Sequence, residues 1–253
     1  MSLLSDLQIN DFHANGWVIT DLFDEFTTRE VQRWVSDIAT WPDEGPWLHY
    51  REMTDHGPKI CRTEDFTPHH AGMYQLLRLG RLVMAAGELL GEPAVLYKEK
   101  INYKLSGGAG FAPHQDAPAY RFVDTHISCM VAVDPATTVN GCLEVVSGMH
   151  AEVLPMDDSG CIHPDVARRF DWEPAELLAG QVLWFHSRTP HCSGSNHSTE
   201  DRRALFPTYN ALREGDLRDR YYEQKSAEFA ASKAPGSTVR LSLIGDFQGR
   251  PVT

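Results

Sequence analysis

The sequence lacks features that would mark several classes of protein. None of its five cysteines lies in a Cys-x-x-Cys pair, and their odd number favours reduced thiols over a disulfide framework or a structural zinc site. No stretch approaches the uninterrupted apolar length needed to cross a bilayer. The N-terminus has no basic region followed by an apolar run, so no secretory signal is predicted and a cytoplasmic location is expected.

Basic residues are also scarce. The 23 Lys and Arg are outnumbered by 35 Asp and Glu, which gives a formal charge of −12. Such a chain repels nucleic acid and anionic membranes, and it has no basic stripe with interleaved aromatics, so neither is expected as a partner. An anionic small-molecule substrate would therefore be captured by a local group of cations. The sequence does not indicate an oligomeric state.

The 253 residues, 42% of them hydrophobic, suit one large domain with a sizeable core. We expect a helical N-terminal layer over about 1–92, a β core over about 93–212 and a tail over 213–253. A polar insertion at 151–178 interrupts the core.

Within the N-terminal layer, a helix is predicted to begin at Thr27 or Thr28, since either hydroxyl can cap it. Residues 41–68 show no sustained period and are predicted to form a long surface segment that borders a site. Residues 70–91 carry the apolar spacing of one amphipathic helix that ends at Gly91.

The core has the two-residue period of β-strands. Strands are predicted over 94–105, 127–133, 142–146, 181–186 and 203–210, and Asn140-Gly141 marks a tight turn. Alternation places Lys98, Lys100, Asn102 and Lys104 on one face of the first strand, with Tyr97, Ile101 and Tyr103 on the other. Short strands joined by turns favour a mainly β fold with flanking helices, either a β sandwich or a jelly roll.

A His-x-Asp pair follows the glycine-rich turn at 107–110. In an extended strand, His114 and Asp116 point to the same side, so an imidazole nitrogen and a carboxylate oxygen can meet at one metal ion. With a second imidazole they would complete the facial triad of a non-heme Fe(II) centre. The other such pair, His163 and Asp165, is better explained as the start of a short helix.

Two histidines are candidates for the third ligand. His186 closes one predicted strand, whereas His191 opens the next extended run after a turn through Pro190. We favour His191.

A set of motifs runs in order from about residue 95 to 210. They are Ile101-Asn102-Tyr103-Lys104, Pro113-His114-Gln115-Asp116, Asn140-Gly141-Cys142-Leu143, Gly180-Gln181-Val182-Leu183-Trp184-Phe185-His186 and His191-Cys192-Ser193-Gly194-Ser195-Asn196, followed by Arg202. Together they resemble the phytanoyl-CoA dioxygenase family of Fe(II)/2-oxoglutarate oxygenases, and ectoine hydroxylase and bacterial organophosphonate hydroxylases share the pattern.

The resemblance implies a double-stranded β-helix, the cupin-like jelly roll, with Fe(II) held by His114, Asp116 and His191. It also implies that Arg202 binds the distal carboxylate of 2-oxoglutarate, with Ser193 and Asn102 as further contacts to this co-substrate. A guanidinium suits that task because its fork offers two parallel donors to a carboxylate. The implied reaction uses O2, converts 2-oxoglutarate to succinate and CO2, and hydroxylates a C–H bond of the substrate.

The substrate is expected to be a small anionic metabolite, and an organophosphonate such as 2-aminoethylphosphonate is preferred over an acyl-CoA thioester. If Asn102 faces the cofactor, alternation turns Lys98 and Lys100 the same way, and buried ammonium groups need an anionic partner. Tyr120 and Arg121 lie close enough in sequence to Asp116 to be further candidate contacts. For any single lysine, pairing with one of the chain's own acids is an equally good explanation.

Two other classes of function remain open. One is a cupin-like isomerase or hydrolase that uses no keto acid, for which Arg202→Ala would leave activity intact. The other is a noncatalytic binding module that has kept the fold, for which the protein would fail to bind Fe(II).

Overall fold

The structure is a computed structural model that describes residues 2–120, 122–124 and 126–232. The candidate residue Arg121 and the part of the predicted tail beyond 232 lie outside the described residues. No helix within the described part of the chain is both long enough and apolar enough to span a bilayer.

Helices dominate the first part of the chain and strands the second. The helices are α1 (Asp6–Asn15), α2 (Glu25–Ala39), α3 (Ala71–Tyr74), α4 (Arg81–Leu90), α5 (Pro164–Ala167) and α6 (Arg218–Ser232), with a π-helical turn at Gln75–Leu79 and 3₁₀ turns at Thr67–His69, Ala117–Ala119 and Leu212–Glu214. The strands are β1 (Trp17–Thr20), β2 (Leu48–Thr54), β3 (Gly57–Glu64), β4 (Ala94–Lys104), β5 (Phe111–His114), β6 (His126–Ala132), β7 (Leu143–Val145), β8 (Glu173–Ala175), β9 (Val182–His186), β10 (His191–Ser193) and β11 (Arg202–Ala211).

The strands form two antiparallel sheets. Seven strands make the larger one, in the order β1-β9-β6-β11-β4-β3-β2, and four make the smaller one, in the order β5-β10-β7-β8. Consecutive strands such as β5 and β6 belong to different sheets, as expected when a chain passes back and forth between two layers. The predicted jelly roll with flanking helices is confirmed.

Each central strand of the large sheet is buried on both faces. In β9, Val182 and Trp184 pack with the helices, while Leu183 and Phe185 pack toward the small sheet. Burial of each such side chain contributes about 1.5–3 kcal/mol to folding. Both faces of β9 are thus apolar, and a polar side chain buried in a neighbouring strand needs a specific partner.

Two expectations for the helices were wrong. The helix predicted over 70–91 is divided at Gly80, whose extended backbone (φ −92°, ψ −162°) separates the π-helical turn from α4. A Cβ there would lie 2.9 Å from the carbonyl oxygens of Gln75 and Leu76, so glycine permits the break. The N-cap of α2 is Asp24, not a threonine, and its carboxylate accepts a hydrogen bond from the Thr27 amide at 2.8 Å.

The segment 41–68 was predicted to be irregular, but it contains the hairpin β2–β3. Residues 55–56 turn the chain and Gly57 follows with φ +94°. The hairpin joins the large sheet where Arg62 pairs with Asn102 of β4. In the predicted insertion at 151–178, β8 pairs with β7 and so belongs to the small sheet.

A β-bulge in β4 changes the predicted side-chain phase. Thr208 of β11 lies opposite Lys98, whereas Tyr209 lies opposite Leu96, which leaves Tyr97 as the extra residue. The ring of Tyr97 consequently packs with Tyr120 and Tyr221 and lines the same cavity as Lys98. The expectation that Tyr97 faces away from the lysines was therefore wrong.

Helix α6 is fixed to the middle of β4. The Arg218 guanidinium, 2% exposed, donates to both carboxylate oxygens of Glu99 at 2.6 and 3.0 Å and to Asp65 at 2.7 Å. The Tyr222 hydroxyl accepts from the Glu99 amide at 3.0 Å and donates to the Glu99 carbonyl at 2.7 Å, so it replaces a neighbouring strand there.

Replacement of Arg218 by methionine should lower the free energy of unfolding by about 3–5 kcal/mol, because it leaves the buried Glu99 carboxylate without its counter-ion. Urea denaturation measures the change. Arg33→Met is the matched control, since Arg33 pairs with exposed acids on the surface of α2 and should cost less than about 1 kcal/mol. An equal decrease in the free energy of unfolding of the two variants would contradict a structural role for the buried pair of Arg218 and Glu99.

Candidate active site

One cavity, about 140 Å³ in volume, has walls from both sheets and from α6. Its wall includes nine of the ten residues proposed from the sequence. These are Lys98, Lys100, Asn102, His114, Asp116, Tyr120, His191, Ser193 and Arg202. The tenth, Arg121, is outside the described residues.

His114, Asp116 and His191 converge in this cavity, and their ligand atoms all lie within 4.8 Å of one another. The pairing of β10 with β5 sets His191 directly opposite His114, and the ring centroids are 4.2 Å apart. In each ring Nδ1 bonds a backbone carbonyl, that of Ala112 at 2.7 Å and that of Thr189 at 3.0 Å. With Nδ1 as the donor, each Nε2 keeps a lone pair for a metal ion.

Asp116 reaches the site from a turn rather than from a strand. Strand β5 ends at His114, and Asp116 has helical dihedral angles (φ −71°, ψ −32°) just before a 3₁₀ turn. Its Oδ2 accepts a hydrogen bond from Ser128 at 2.8 Å, and the Ser128 hydroxyl also lies 3.1 Å from that of Thr208. Ser128 thereby holds one carboxylate oxygen and leaves the other for a metal.

The protonation states suit a divalent cation. Burial, with the neighbouring His191, lowers the pKa of His114 to about 3, and burial also lowers the pKa of His191. Burial alone would raise the pKa of Asp116, but His191, Lys98 and Lys100 outweigh it and hold that pKa well below its usual value. Two neutral imidazoles beside one carboxylate form the donor set that Fe(II) takes in non-heme oxygenases.

The Arg202 side chain fits an anionic carboxylate. Its Nη2 donates to the Gly141 carbonyl at 3.2 Å, whereas Nε and Nη1 are buried without a partner among the described residues. Burial lowers the pKa of Arg202 to about 10, so the guanidinium is still charged at neutral pH. Unpaired buried donors are costly, and a carboxylate of 2-oxoglutarate would satisfy both.

At the other end of the cavity are Lys98 and Lys100. Within the described part of the chain, neither forms an ion pair or a hydrogen bond, and the Lys98 ammonium lies 4.1 Å from the centre of the Tyr120 ring. Burial lowers the pKa of Lys98 to about 8 and that of Lys100 to about 7. Asp116 and Glu64 are near enough to act on both lysines, but neither lysine has a carboxylate in direct contact among the described residues, which favours a site for an anion.

The alternative ligands lie elsewhere. The ring of His186 packs against His150 with centroids 5.4 Å apart, and its Nδ1 accepts from the Arg188 amide at 3.0 Å. His163 caps the short helix α5, where Asp165 is in the first turn, as predicted. Only His114, Asp116 and His191 form a potential metal-binding group among the described residues.

Sequence reasoning missed several residues of the wall. Arg62 donates to the Asn102 side-chain oxygen at 3.1 Å, and Glu64 lies 3.6 Å from the same guanidinium. Gly57, a turn residue where the stretches that form β2 and β3 meet, was the available signal. Ser128 and Thr208 are isolated hydroxyls in otherwise buried strands, a pattern that signals a specific partner. The residues from α6 had no such signal.

This fold and this donor set define a non-heme Fe(II) oxygenase. The family model for phytanoyl-CoA dioxygenase (PhyH) matches residues 12–204, and the chain belongs to that family. It is an Fe(II)- and 2-oxoglutarate-dependent dioxygenase.

Two relatives resemble most of the chain. It is 44% identical to a methylphosphonate hydroxylase of Gimesia maris, over 98% of this chain and 97% of that protein. It is 37% identical to a 2-aminoethylphosphonate dioxygenase of the uncultured bacterium HF130_AEPn_1, over 90% of each. Among solved structures, EctD from S. alaskensis with 2-oxoglutarate and 5-hydroxyectoine has the same fold, with a TM-score of 0.73, 21% identity and coverage of 84% of this chain and 78% of that one.

Removal of the His191 imidazole should abolish tight Fe(II) binding, because one nitrogen and one oxygen ligand would remain. We expect His191→Ala to raise the Kd for Fe(II) by about 100-fold or more. Loss of a residue that only hydrogen-bonds a metal ligand raises the Kd by about 10- to 100-fold, and loss of the ligand itself should have a larger effect. His186→Ala is the control and should change the Kd by less than about threefold. Anaerobic metal titration measures both Kd values. A larger increase in the Kd of the His186 variant would mean that His186, and not His191, is the third iron ligand.

Proposed function

We propose that this dioxygenase hydroxylates a C–H bond of a small organophosphonate. His114, Asp116 and His191 hold the iron, Arg202 and Ser193 bind the distal carboxylate of 2-oxoglutarate, and Asn102 lies beside it. Lys98 and Lys100 bind the phosphonate. The observation that carries the proposal is the pair of lysines in the cavity wall with no ion pair among the described residues.

The energetics of burial support this substrate class. An ammonium group taken out of water is costly unless an anion compensates it. A phosphonate offers up to two negative charges and three acceptor oxygens, so one group can satisfy both lysines. Both relatives described above act, by their names, on phosphonates.

The proposed binding residues lie at different positions along the cavity. Bound iron and 2-oxoglutarate supply the oxidation, in which O2 and the keto acid give succinate, CO2 and a hydroxylated substrate carbon. Arg202 orients the co-substrate from one end, and Lys98 and Lys100 orient the substrate from the other. Their common task is to hold the substrate carbon beside the metal, where fixed geometry removes the entropy cost of the encounter.

The wall also carries acidic side chains, which favour a substrate with an ammonium group. Glu52 and Glu228 line the same cavity as the lysines. Methylphosphonate has no cation for them, whereas 2-aminoethylphosphonate has one. We therefore place 2-aminoethylphosphonate ahead of methylphosphonate, and both ahead of an acyl-CoA thioester.

We also propose that the chain acts as one domain in the cytoplasm. The N-terminal hairpin β2–β3 and the C-terminal helix α6 both contribute to the cavity wall, so the predicted layers act as one unit. The five free cysteines fit a reducing compartment.

The reaction itself is tested with a substrate panel. Succinate release should match the amount of hydroxylated product for 2-aminoethylphosphonate or methylphosphonate. Turnover of an acyl-CoA thioester with neither phosphonate accepted would favour the alternative substrate. No consumption of 2-oxoglutarate with any substrate would count against the function.

Lys98→Met and Lys100→Met should each raise the KM for the phosphonate by about 10- to 100-fold, because each removes a buried charge that pairs with it. The KM for 2-oxoglutarate should stay within about threefold. Lys59→Met, which removes an exposed lysine of β3, is the control and should change neither constant. Succinate-release kinetics give both constants, and an unchanged phosphonate KM in both cavity variants would refute this anion site.

A further inference from the structure

Lys104 lies at the end of β4, opposite Arg202 in register, and is 7% exposed. Its ammonium group donates to three acceptors, the carbonyl of Gly141 at 3.2 Å, the hydroxyl of Ser193 at 3.0 Å and the carbonyl of Gly194. An ammonium has only three N–H donors. All three are used, so Lys104 has none left for a ligand in the cavity.

The Ser193 hydroxyl, in contrast, has its acceptor sites filled and its donor free. Its oxygen accepts from Lys104 at 3.0 Å and from the Phe111 amide at 3.3 Å, which occupies both lone pairs. Its own proton has no acceptor among the described residues, and Ser193 lines the cavity. Burial lowers the pKa of Lys104 to about 7. While its amine is protonated, the Ser193 hydroxyl can act toward the cavity only as a donor.

Arg202 shares this arrangement. Its Nη2 donates to the Gly141 carbonyl, which also accepts from Lys104, so the guanidinium and the serine are linked through one backbone oxygen. Gly141 has φ +71°, and a Cβ there would lie 2.6 Å from the Lys104 ammonium and 2.3 Å from the Gly194 carbonyl. Glycine is needed to let the turn approach so closely.

We propose that Lys104 is a positioning residue that fixes the Ser193 hydroxyl as a hydrogen-bond donor to the distal carboxylate of 2-oxoglutarate. The inference rests on the proposed function, which places that carboxylate between Arg202 and Ser193. A carboxylate only accepts hydrogen bonds, and a free serine hydroxyl rotates between donor and acceptor roles. With its lone pairs occupied, the hydroxyl is oriented before the co-substrate binds, which lowers the cost of binding.

The test is equilibrium binding of 2-oxoglutarate to the Mn(II)-loaded protein by calorimetry. Lys104→Met and Ser193→Ala should each weaken binding by about tenfold, the loss of one hydrogen bond to a charged group. If Lys104 acts through Ser193, the double variant should bind within about threefold of Ser193→Ala alone. The probe 2-oxopentanoate, which has the same chain length but no distal carboxylate, should bind all three variants as it binds the wild type.

Several outcomes would overturn the proposal. If Lys104→Met weakens 2-oxoglutarate binding as much in the Ser193→Ala background as in the wild type, the ammonium acts directly on the carboxylate. Weaker binding of 2-oxopentanoate to Lys104→Met means that the lysine only maintains the fold. If Lys104→Met does not fold, Ser193→Ala is still informative. An unchanged affinity of the Ser193→Ala variant for 2-oxoglutarate would overturn the proposal.

A further variant separates this inference from the proposed function. If Arg202→Met leaves 2-oxoglutarate affinity unchanged, the placement of the co-substrate itself is wrong. If Arg202→Met weakens binding and Ser193→Ala does not, only the role of Lys104 and Ser193 fails.

Discussion

The pairing of β10 with β5 is the constraint on which the site depends. It sets His191 opposite His114 within the small sheet, and backbone carbonyls at Ala112 and Thr189 fix the orientation of both rings. The third group, Asp116, is held by a hydroxyl from the large sheet. The potential metal centre is thus a point at which the two layers meet, and its geometry depends on how they stack.

Strand β4 organises the charges around that centre. Lys98 and Lys104 face the same cavity from positions six residues apart, which is about 20 Å along an extended strand. A chain with a formal charge of −12 therefore presents cations at both ends of one cavity. Because Lys98 and Lys104 are buried, their charges act more strongly on a ligand than those of exposed lysines would.

The sequence was informative where function depends on short motifs. The spacing around His114 and Asp116, together with His191 and Arg202, predicted four side chains that line one cavity. The period of the strands predicted a mainly β fold, either a sandwich or a jelly roll, and the family resemblance implied the jelly roll. The roles of these residues toward iron, 2-oxoglutarate and substrate stay predictions.

Other parts of the wall depend on contacts that no local pattern contains. The hairpin β2–β3 is stabilised by pairing with β4, about 40 residues later in the chain. Helix α6 is mostly polar, and its position comes from the buried pair of Arg218 with Glu99. The break at Gly80 reflects a conformation that apolar spacing does not detect.

The bulge at Tyr97 has a consequence for how such a pocket can vary. An extra residue resets the alternation, so the strand before it and the strand after it need not share one phase. Lys98, Asn102 and Lys104 all follow the bulge and share one alternation, so a one-residue insertion or deletion at Tyr97 would change the phase of the strand before it without rotating these three side chains. The aromatic ring at the outer rim can therefore be replaced or shifted while the cavity-facing side chains that follow it stay in register.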